Sequence, residues 1–355
     1  MKILITGVGG PTPRSFAIAL KKYSSYKHLE IIGTDINPLA LGLYQKEFFD
    51  KTYIVPPATS PDYWHVIERL ISENNVDIAV ILPELEVMEW SRRKENEALP
   101  CKALIPDYSM AELLVDKSKM TEILKDLDIV PPSVTFARDI KNFDEVFNVL
   151  GGNFWVRSTS GTSGLGSLKV EDRDSLKNWI QINPNVGQFI ASKFLSGRNL
   201  ACKMLYYNGH LLRTACAERV NYIMAKVAPS GITGNTSFGR LLNEPKLVQE
   251  AKRAMDHLFQ HTGAKQHGFF TVDFKEDESG KPYITEINVR HVAFTQCFAA
   301  GGANFASDTI MLLDGDSAFD YEYKMYEFEK DLIFLRDVDA IPILMKESDL
   351  LKKLI

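Results

Sequence analysis

The order of apolar and polar positions along the chain changes character near residue 110. Before it, short apolar runs alternate with amphipathic segments. They predict a strand over 2–6, a helix from about 14 to 23 and a strand over 29–33 ending near Asp35. A helix over 63–74, a strand over 78–82, a helix from about Glu86 and a strand over 103–105 follow. Such alternation builds a doubly wound parallel sheet. Its loops at 7–13, 35–38 and 83–86 gather at the carboxyl ends of the strands, where these sheets bind ligands. Beyond it, Ser109 can cap a helix toward Val115, and Asp116-Lys117 opens another toward Leu127 that Pro131-Pro132 stops. Strands then predominate, over 133–136, 188–195, 200–207 and 210–220, with Asn208-Gly209 as a tight hairpin turn. Helices over 247–261 and 304–313 flank a hairpin at 268–290, and the tail to Ile355 carries one strand-like run and a final helix.

That hairpin carries the most concentrated chemistry. In its second strand Glu286, Asn288 and Arg290 fall at alternate positions and share one face, while Ile287 and Val289 point to a core. If Ser279 and Gly280 are the two turn residues, Asp273 lies directly opposite Glu286, and a longer turn would break that pairing. Two facing carboxylates repel unless a cation sits between them. With the Asn288 amide oxygen they form an acidic all-oxygen set suited to Mg²⁺. Without metal, replacing Glu286 by Gln is expected to relieve repulsion and leave the fold equally or more stable.

Three glycine-rich stretches add to this. Gly7-Val8-Gly9-Gly10 opens a βαβ unit, but Thr12 replaces the third glycine of a dinucleotide fingerprint, and Pro11 and Pro13 remove amide donors. The segment 154–170 reads as strand, Gly/Ser/Thr-rich loop and strand, with Arg157 at the end of the first. Such a loop can fold over phosphates. The run 226–239 reads as a mobile loop or lid bordered by Arg219 and Lys226, cations that could meet an anionic substrate.

Composition narrows the classes. Charged residues make up 25% and hydrophobic ones 45%, and the net charge is −5, which gives no reason to expect nucleic acid or an acidic membrane as partner. Four cysteines without CxxC spacing argue against zinc and against a disulfide framework. No apolar run reaches the roughly 20 residues that span a bilayer. With no leader-like start, the expectation is a reduced, cytoplasmic protein without nucleic-acid or membrane partners.

Four ordered signals resemble the ATP-grasp superfamily, in the carbamoyl-phosphate-synthetase-like branch of carboxylate–amine ligases. They are Asp116-Lys117, the strand–loop–strand around Arg157, Lys193-Phe194-Leu195-Ser196-Gly197, and Asp273 with Glu286-Ile287-Asn288-Val289-Arg290. The resemblance implies an α/β and α+β architecture: a Rossmann-like N-terminal domain (1–110), then a two-subdomain ATP-grasp fold (111–190 and 191–320, the latter with the metal site) and a C-terminal extension (321–355). It implies ATP and Mg²⁺ as cofactors, with Mn²⁺ as a substitute, and small carboxylate and amine substrates; a homodimer is compatible with it. It assigns nucleotide binding to Lys117, Arg157, Ser158, Ser160, Gly161, Ser163, Gly164, Lys193 and Asn199, metal to Asp273, Glu286 and Asn288, and catalysis to Arg290 and Arg157. Where the family often has an acidic residue and a ribose-binding Glu, this chain has Ser192 and Asn199. Two other readings stay open: a non-catalytic ATP-binding protein, and an NAD-dependent oxidoreductase using the N-terminal domain.

Overall fold

The computed structural model describes residues 1–26, 28–160, 167–228, 231, 234–338, 343–346 and 348. The first unit is a parallel sheet of β1 (Lys2–Thr6), β2 (Glu30–Asp35), β3 (Lys51–Ile54), β4 (Ile78–Val80) and β5 (Lys102–Ala103), in the order β3-β2-β1-β4-β5. Helices α1 (Pro11–Tyr23), α2 (Tyr63–Asn74) and α3 (Glu84–Asn96) connect its strands. The alternation before residue 110 anticipates this unit; β3 is the strand it misses, since the exposed run Lys51–Ile54 shows no apolar periodicity. Gly7 has φ +69°, and a Cβ there would lie 2.4 Å from the Pro83 ring, so glycine lets the loops after β1 and β4 close on each other.

Helices α4 (Tyr108–Val115) and α5 (Lys117–Leu124) lead into a four-stranded antiparallel sheet. It contains β6 (Ser133–Ala137), β7 (Phe154–Ser158), β8 (Leu168–Val170) and β9 (Gln188–Lys193), ordered β6-β9-β7-β8, with α6 (Asp144–Leu150) and α7 (Arg173–Ile182) packed against it. The third sheet takes in β10 (Asn199–Tyr207), β11 (His210–Tyr222), β12 (Thr236–Leu242), β13 (Gly268–Glu276) and β14 (Pro282–Asn288). The extension adds the short β15 (Lys324–Met325), then β16 (Leu332–Leu335) and β17 (Ile343–Lys346), giving the order β14-β13-β10-β11-β12-β16-β17 with β15 against β11. Helices α8 (Pro245–Thr262), α9 (Thr295–Ala300) and α10 (Phe305–Asp314) complete the fold.

Two expectations change here. The stretch 226–239 is not loop throughout, because β12 begins at Thr236. The tail carries more than one strand and closes the third sheet against β12; the expected final helix lies outside the described residues. Asn208 (φ 50°) and Gly209 (φ 95°) take the left-handed conformations the Asn-Gly turn requires. One core runs from β1 through α4 and α8 to β13 and β14, so the parallel unit and the third sheet share buried side chains.

Candidate functional site

Asp273 does face Glu286, but by another route than a two-residue turn. The strands pair from Glu276 opposite Pro282, leaving five residues in the turn, which alone would misalign the carboxylates. A bulge at Thr285 restores the register, with Phe274 opposite Ile284 and Asp273 opposite Glu286. The extra residue is also used: its carbonyl accepts a hydrogen bond from the Arg157 guanidinium, tying the second sheet to the third.

Cations surround the two carboxylates. Asp116 caps α5, accepting from the N–H groups of Ser118 (2.9 Å) and Lys119 (3.2 Å). That fixes Lys117 at the first helical position, where its Nζ sits 3.1 Å from Glu286 Oε1. Arg219, on β11, places Nη1 3.2 Å from Asp273 Oδ1, and Asn288 Nδ2 donates to Asp273 Oδ2 at 3.1 Å. Burial pushes the Asp273 carboxyl up to about 6, against the pull of Arg219. Burial acts upward on Glu286 too, but Lys117, Arg157 and Arg290 outweigh it and hold that carboxyl below its ordinary range. Facing repulsion is therefore already offset by side-chain cations, and the expected stability gain on neutralising Glu286 does not fit this arrangement.

A cavity of about 690 Å³ opens over this cluster, between the second and third sheets and the loops of the parallel unit. Arg157, Lys193, Asn199, Asp273, Glu286 and Arg290 line it, as does Asn288. Trp155, Phe194, Leu200 and Phe274 supply apolar walls on the same side as Lys193 and Asn199 in the chain, a surface suited to a flat aromatic ring. Ser158 ends β7, and the carbonyl of Thr159 accepts the Lys117 N–H at 2.9 Å, so the start of the 158–166 loop is anchored to α5. Ser160 is exposed beside it; Gly161, Ser163 and Gly164 lie outside the described residues.

Arg290, just past β14, donates through Nη1 to the His291 carbonyl (3.0 Å), while its Nε is buried with no partner among the described residues. His291 is stacked on Phe269, with centroids 3.5 Å apart, and among the described residues neither ring nitrogen has a hydrogen-bond partner. Burial, then Lys203 and Arg290, hold its pKa well below the ordinary value, so it stays neutral. Sequence reasoning missed Glu84, at the start of α3, whose carboxyl burial raises and Arg290 and Lys117 pull back. It also missed Lys203, fully buried on β10 beside Thr271. Lys203 Nζ donates to Thr295 Oγ1 (2.9 Å) within 4.6–5.9 Å of the rings of Phe269, Phe294, Phe298 and Phe305. A lone lysine in an apolar strand pattern gives no signal of such a cage.

Burial lowers Lys203 to about 7. Between that pH and the ordinary lysine value near 10.4, the unfolded chain holds a proton the folded chain has released. Its contribution to stability should therefore rise with pH, by up to about 1.4 kcal/mol per unit. Urea unfolding at pH 7 to 9.5 checks this: Lys203→Met should flatten that part of the profile.

The donor set fits Mg²⁺. Two carboxylates and an amide are hard oxygen ligands, and two side-chain cations already stand against those carboxylates, as a divalent ion would. Among the described residues no group of three or more His, Cys, Asp or Glu gathers as a metal site.

Comparison with known proteins agrees with this architecture. No family model matches the chain. The D-alanine–D-alanine ligase of Neisseria gonorrhoeae is 27% identical over 210 residues, 56% of this chain and 66% of the ligase. The chain thus spans just under two thirds of that curated relative. An ADP complex of N5-carboxyaminoimidazole synthetase from Staphylococcus aureus superposes with a TM-score of 0.67 at 16% identity, covering 94% of this chain and 81% of the other. The biotin carboxylase domain of Hydrogenobacter thermophilus 2-oxoglutarate carboxylase, solved with MgADP and bicarbonate, gives 0.68 at 14% identity, covering 94% and 74%. The fold is the ATP-grasp fold. No helix among the described residues is long and apolar enough to cross a membrane.

Proposed function

We propose that the chain is an ATP-dependent carboxylate–amine ligase, which phosphorylates a carboxylate, joins the acyl phosphate to an amine and releases ADP and phosphate. The observation that carries this is the facing pair Asp273 and Glu286, ringed by Lys117, Arg157, Arg219 and Arg290 at the wall of one cavity. An anionic carboxylate is a poor electrophile without a leaving group, and phosphorylation supplies one. The protein's task is then positioning and neutralising charge.

In this reading Trp155, Lys193 and Asn199 hold the nucleoside, and Lys117 and Arg157 hold the phosphates. Asp273, Glu286 and Asn288 would hold Mg²⁺, or Mn²⁺ in its place, and the ion would supply charge neutralisation to the phosphoryl group. Arg290, its Nε unspent, meets the transferring phosphoryl group. Neutral His291 keeps its ring against Phe269 and takes no proton. The oxidoreductase reading loses support from Asp35: its Oδ2 accepts from the Gly9 N–H at 2.7 Å and its Oδ1 from the Asn37 N–H at 2.9 Å, so the carboxylate closes the loop on itself.

The test is the nucleotide and its products. Mg·ATP should raise the melting temperature while NAD(H) and NADP(H) leave it unchanged, because ligands binding only the folded state stabilise it by mass action. Carboxylates and amines screened in pairs should release ADP and phosphate. AMP and pyrophosphate would mean an adenylating enzyme, and stabilisation by ATP without turnover of any pair would favour a non-catalytic ATP-binding protein.

A further inference from the structure

Three arginines from distant parts of the chain come near one another beside the cavity, of which Arg219 lines it. Arg219 is spent: Nη1 meets Asp273, Nε donates to Thr236 Oγ1 (3.0 Å) and Nη2 to the Gly234 carbonyl (2.7 Å). Arg336, in the C-terminal extension just past β16, takes the other side of the same residue, donating Nη1 to the Thr236 carbonyl at 2.9 Å. Its own N–H bonds the Ser237 carbonyl at 2.7 Å, which fixes its place beside β12. Arg14, in the first turn of α1, folds back so that Nε meets the Gly10 carbonyl at 3.3 Å. The neighbours of these arginines, Gly10 to Pro13 on one side and Gly234 and Asn235 on the other, line the cavity.

Arg14 and Arg336 are each at least partly buried, and among the described residues neither has a carboxylate within 4.0 Å. Burial lowers the Arg336 pKa, Cys297 acts against it, and the nearby Arg14 and Arg219 add to the lowering, as like charges do when close. Partly buried cations crowded together without an anion are costly, and a bound anion relieves the cost. The α1 N-terminus faces the same space and favours negative charge there. The phosphate-facing cations gather at β14, where Lys117 meets Glu286, Arg157 meets the Thr285 carbonyl and Arg290 follows the strand. Arg336 is instead fixed to β12, separated from β14 by β13, β10 and β11 in the sheet, so ATP held at β14 does not account for this group.

We infer that Arg14 and Arg336, steadied by Arg219 through Thr236, form an anion subsite for the substrate, which carries a carboxylate or phosphate in addition to its reacting group. The inference rests on the ligase reading for its place in the reaction, but the subsite itself is a binding property. Arg14 and Arg336 are specificity residues, clamping the substrate between α1 and the extension.

The experiment reads binding alone. The full chain, with Mg²⁺ and a non-hydrolysable ATP analogue present, is titrated calorimetrically with succinate, its half-amide succinamate and inorganic phosphate. At least one dianion should bind tenfold or more tightly than succinamate. Arg14→Gln and Arg336→Gln should each weaken that dianion tenfold or more without changing affinity for the ATP analogue, and Arg336→Lys should retain part of it. Phosphate as the tight binder assigns a phosphorylated substrate, succinate a polycarboxylate. Equal binding of succinate and succinamate with no tighter phosphate, or either Gln variant binding the dianion like the parent, overturns the subsite. Melting temperatures confirm that the variants are folded. If the subsite passes while no carboxylate–amine pair releases ADP, the ligase reading fails and the subsite stands. If pairs are turned over and the arginine variants bind dianions normally, the reverse holds.

Discussion

A Glu286→Gln chain is expected to lose Mg²⁺-dependent ATP turnover by about three orders of magnitude, since charge stabilisation by a bound metal is worth several kcal/mol. Gln keeps the size and much of the hydrogen-bonding shape, so the loss reads the charge. The effect on stability reverses the expectation from the hairpin alone. Glu286 does not face Asp273 in isolation: Lys117 Nζ lies 3.1 Å away, and Arg157 and Arg290 also favour the carboxylate. Neutralising it removes the carboxylate charge that the nearly buried Lys117 ammonium meets. Breaking a fully buried pair costs roughly 3–5 kcal/mol. The Glu286 side chain is 27% exposed, so we expect roughly 1–3 kcal/mol of destabilisation in metal-free protein. Urea unfolding and ADP release on the same sample check both parts. A near-normal rate at saturating Mg²⁺ would remove Glu286 from the metal site, and an unchanged or raised stability would show that Lys117 does not depend on it.

Arg290→Met should lower kcat by about 10²–10³ with the KM for ATP changed only a few-fold, the scale seen when one preorganised donor to developing charge is removed. The basis is geometry. Arg290 follows the β14 face that carries Glu286 and Asn288, and it has spent Nη1 on the His291 carbonyl while its buried Nε has no partner among the described residues. Equal falls in kcat and kcat/KM mark a contact made only in the transition state. A raised KM with unchanged kcat would instead make Arg290 a ground-state nucleotide contact. Loss of the guanidinium also removes one of the charges that pull Glu84 down, so the Glu84 carboxyl should titrate at higher pH in the variant.

The facing pair shows how local pattern and tertiary structure divide the work. Alternation along β14 puts Glu286 and Asn288 on one face with Arg290 beyond them, and any strand of that sequence does so, because the period of two is a backbone property. The pairing with Asp273 looked dependent on a two-residue turn. The structure has a five-residue turn and recovers the register through the bulge at Thr285. Residues 277–281 carry several good turn formers, and nothing in their order chooses between the two solutions. What chooses is non-local: the bulged carbonyl is taken by Arg157 from the second sheet, a contact 128 residues away in the chain.

The sequence by itself determined the alternating parallel unit, the hairpin turn at Asn208-Gly209, the capped start of α5 at Asp116 and the acidic face of β14. Each is set by interactions within a few residues: periodicity, capping and the left-handed freedom of Asn and Gly. Only the tertiary structure decided what surrounds that face. Lys117, Arg157 and Arg219 arrive from α5, β7 and β11 to offset the carboxylates, Lys203 is enclosed by four phenylalanines, and Arg14 comes near enough to Arg336, more than 300 residues away in the chain, for their charges to act on each other. An arginine or lysine in sequence carries its charge but not its company. Whether it is a solvated surface group or part of a buried cluster depends on which strands pair and which helices pack, and those choices are made by apolar burial elsewhere in the molecule.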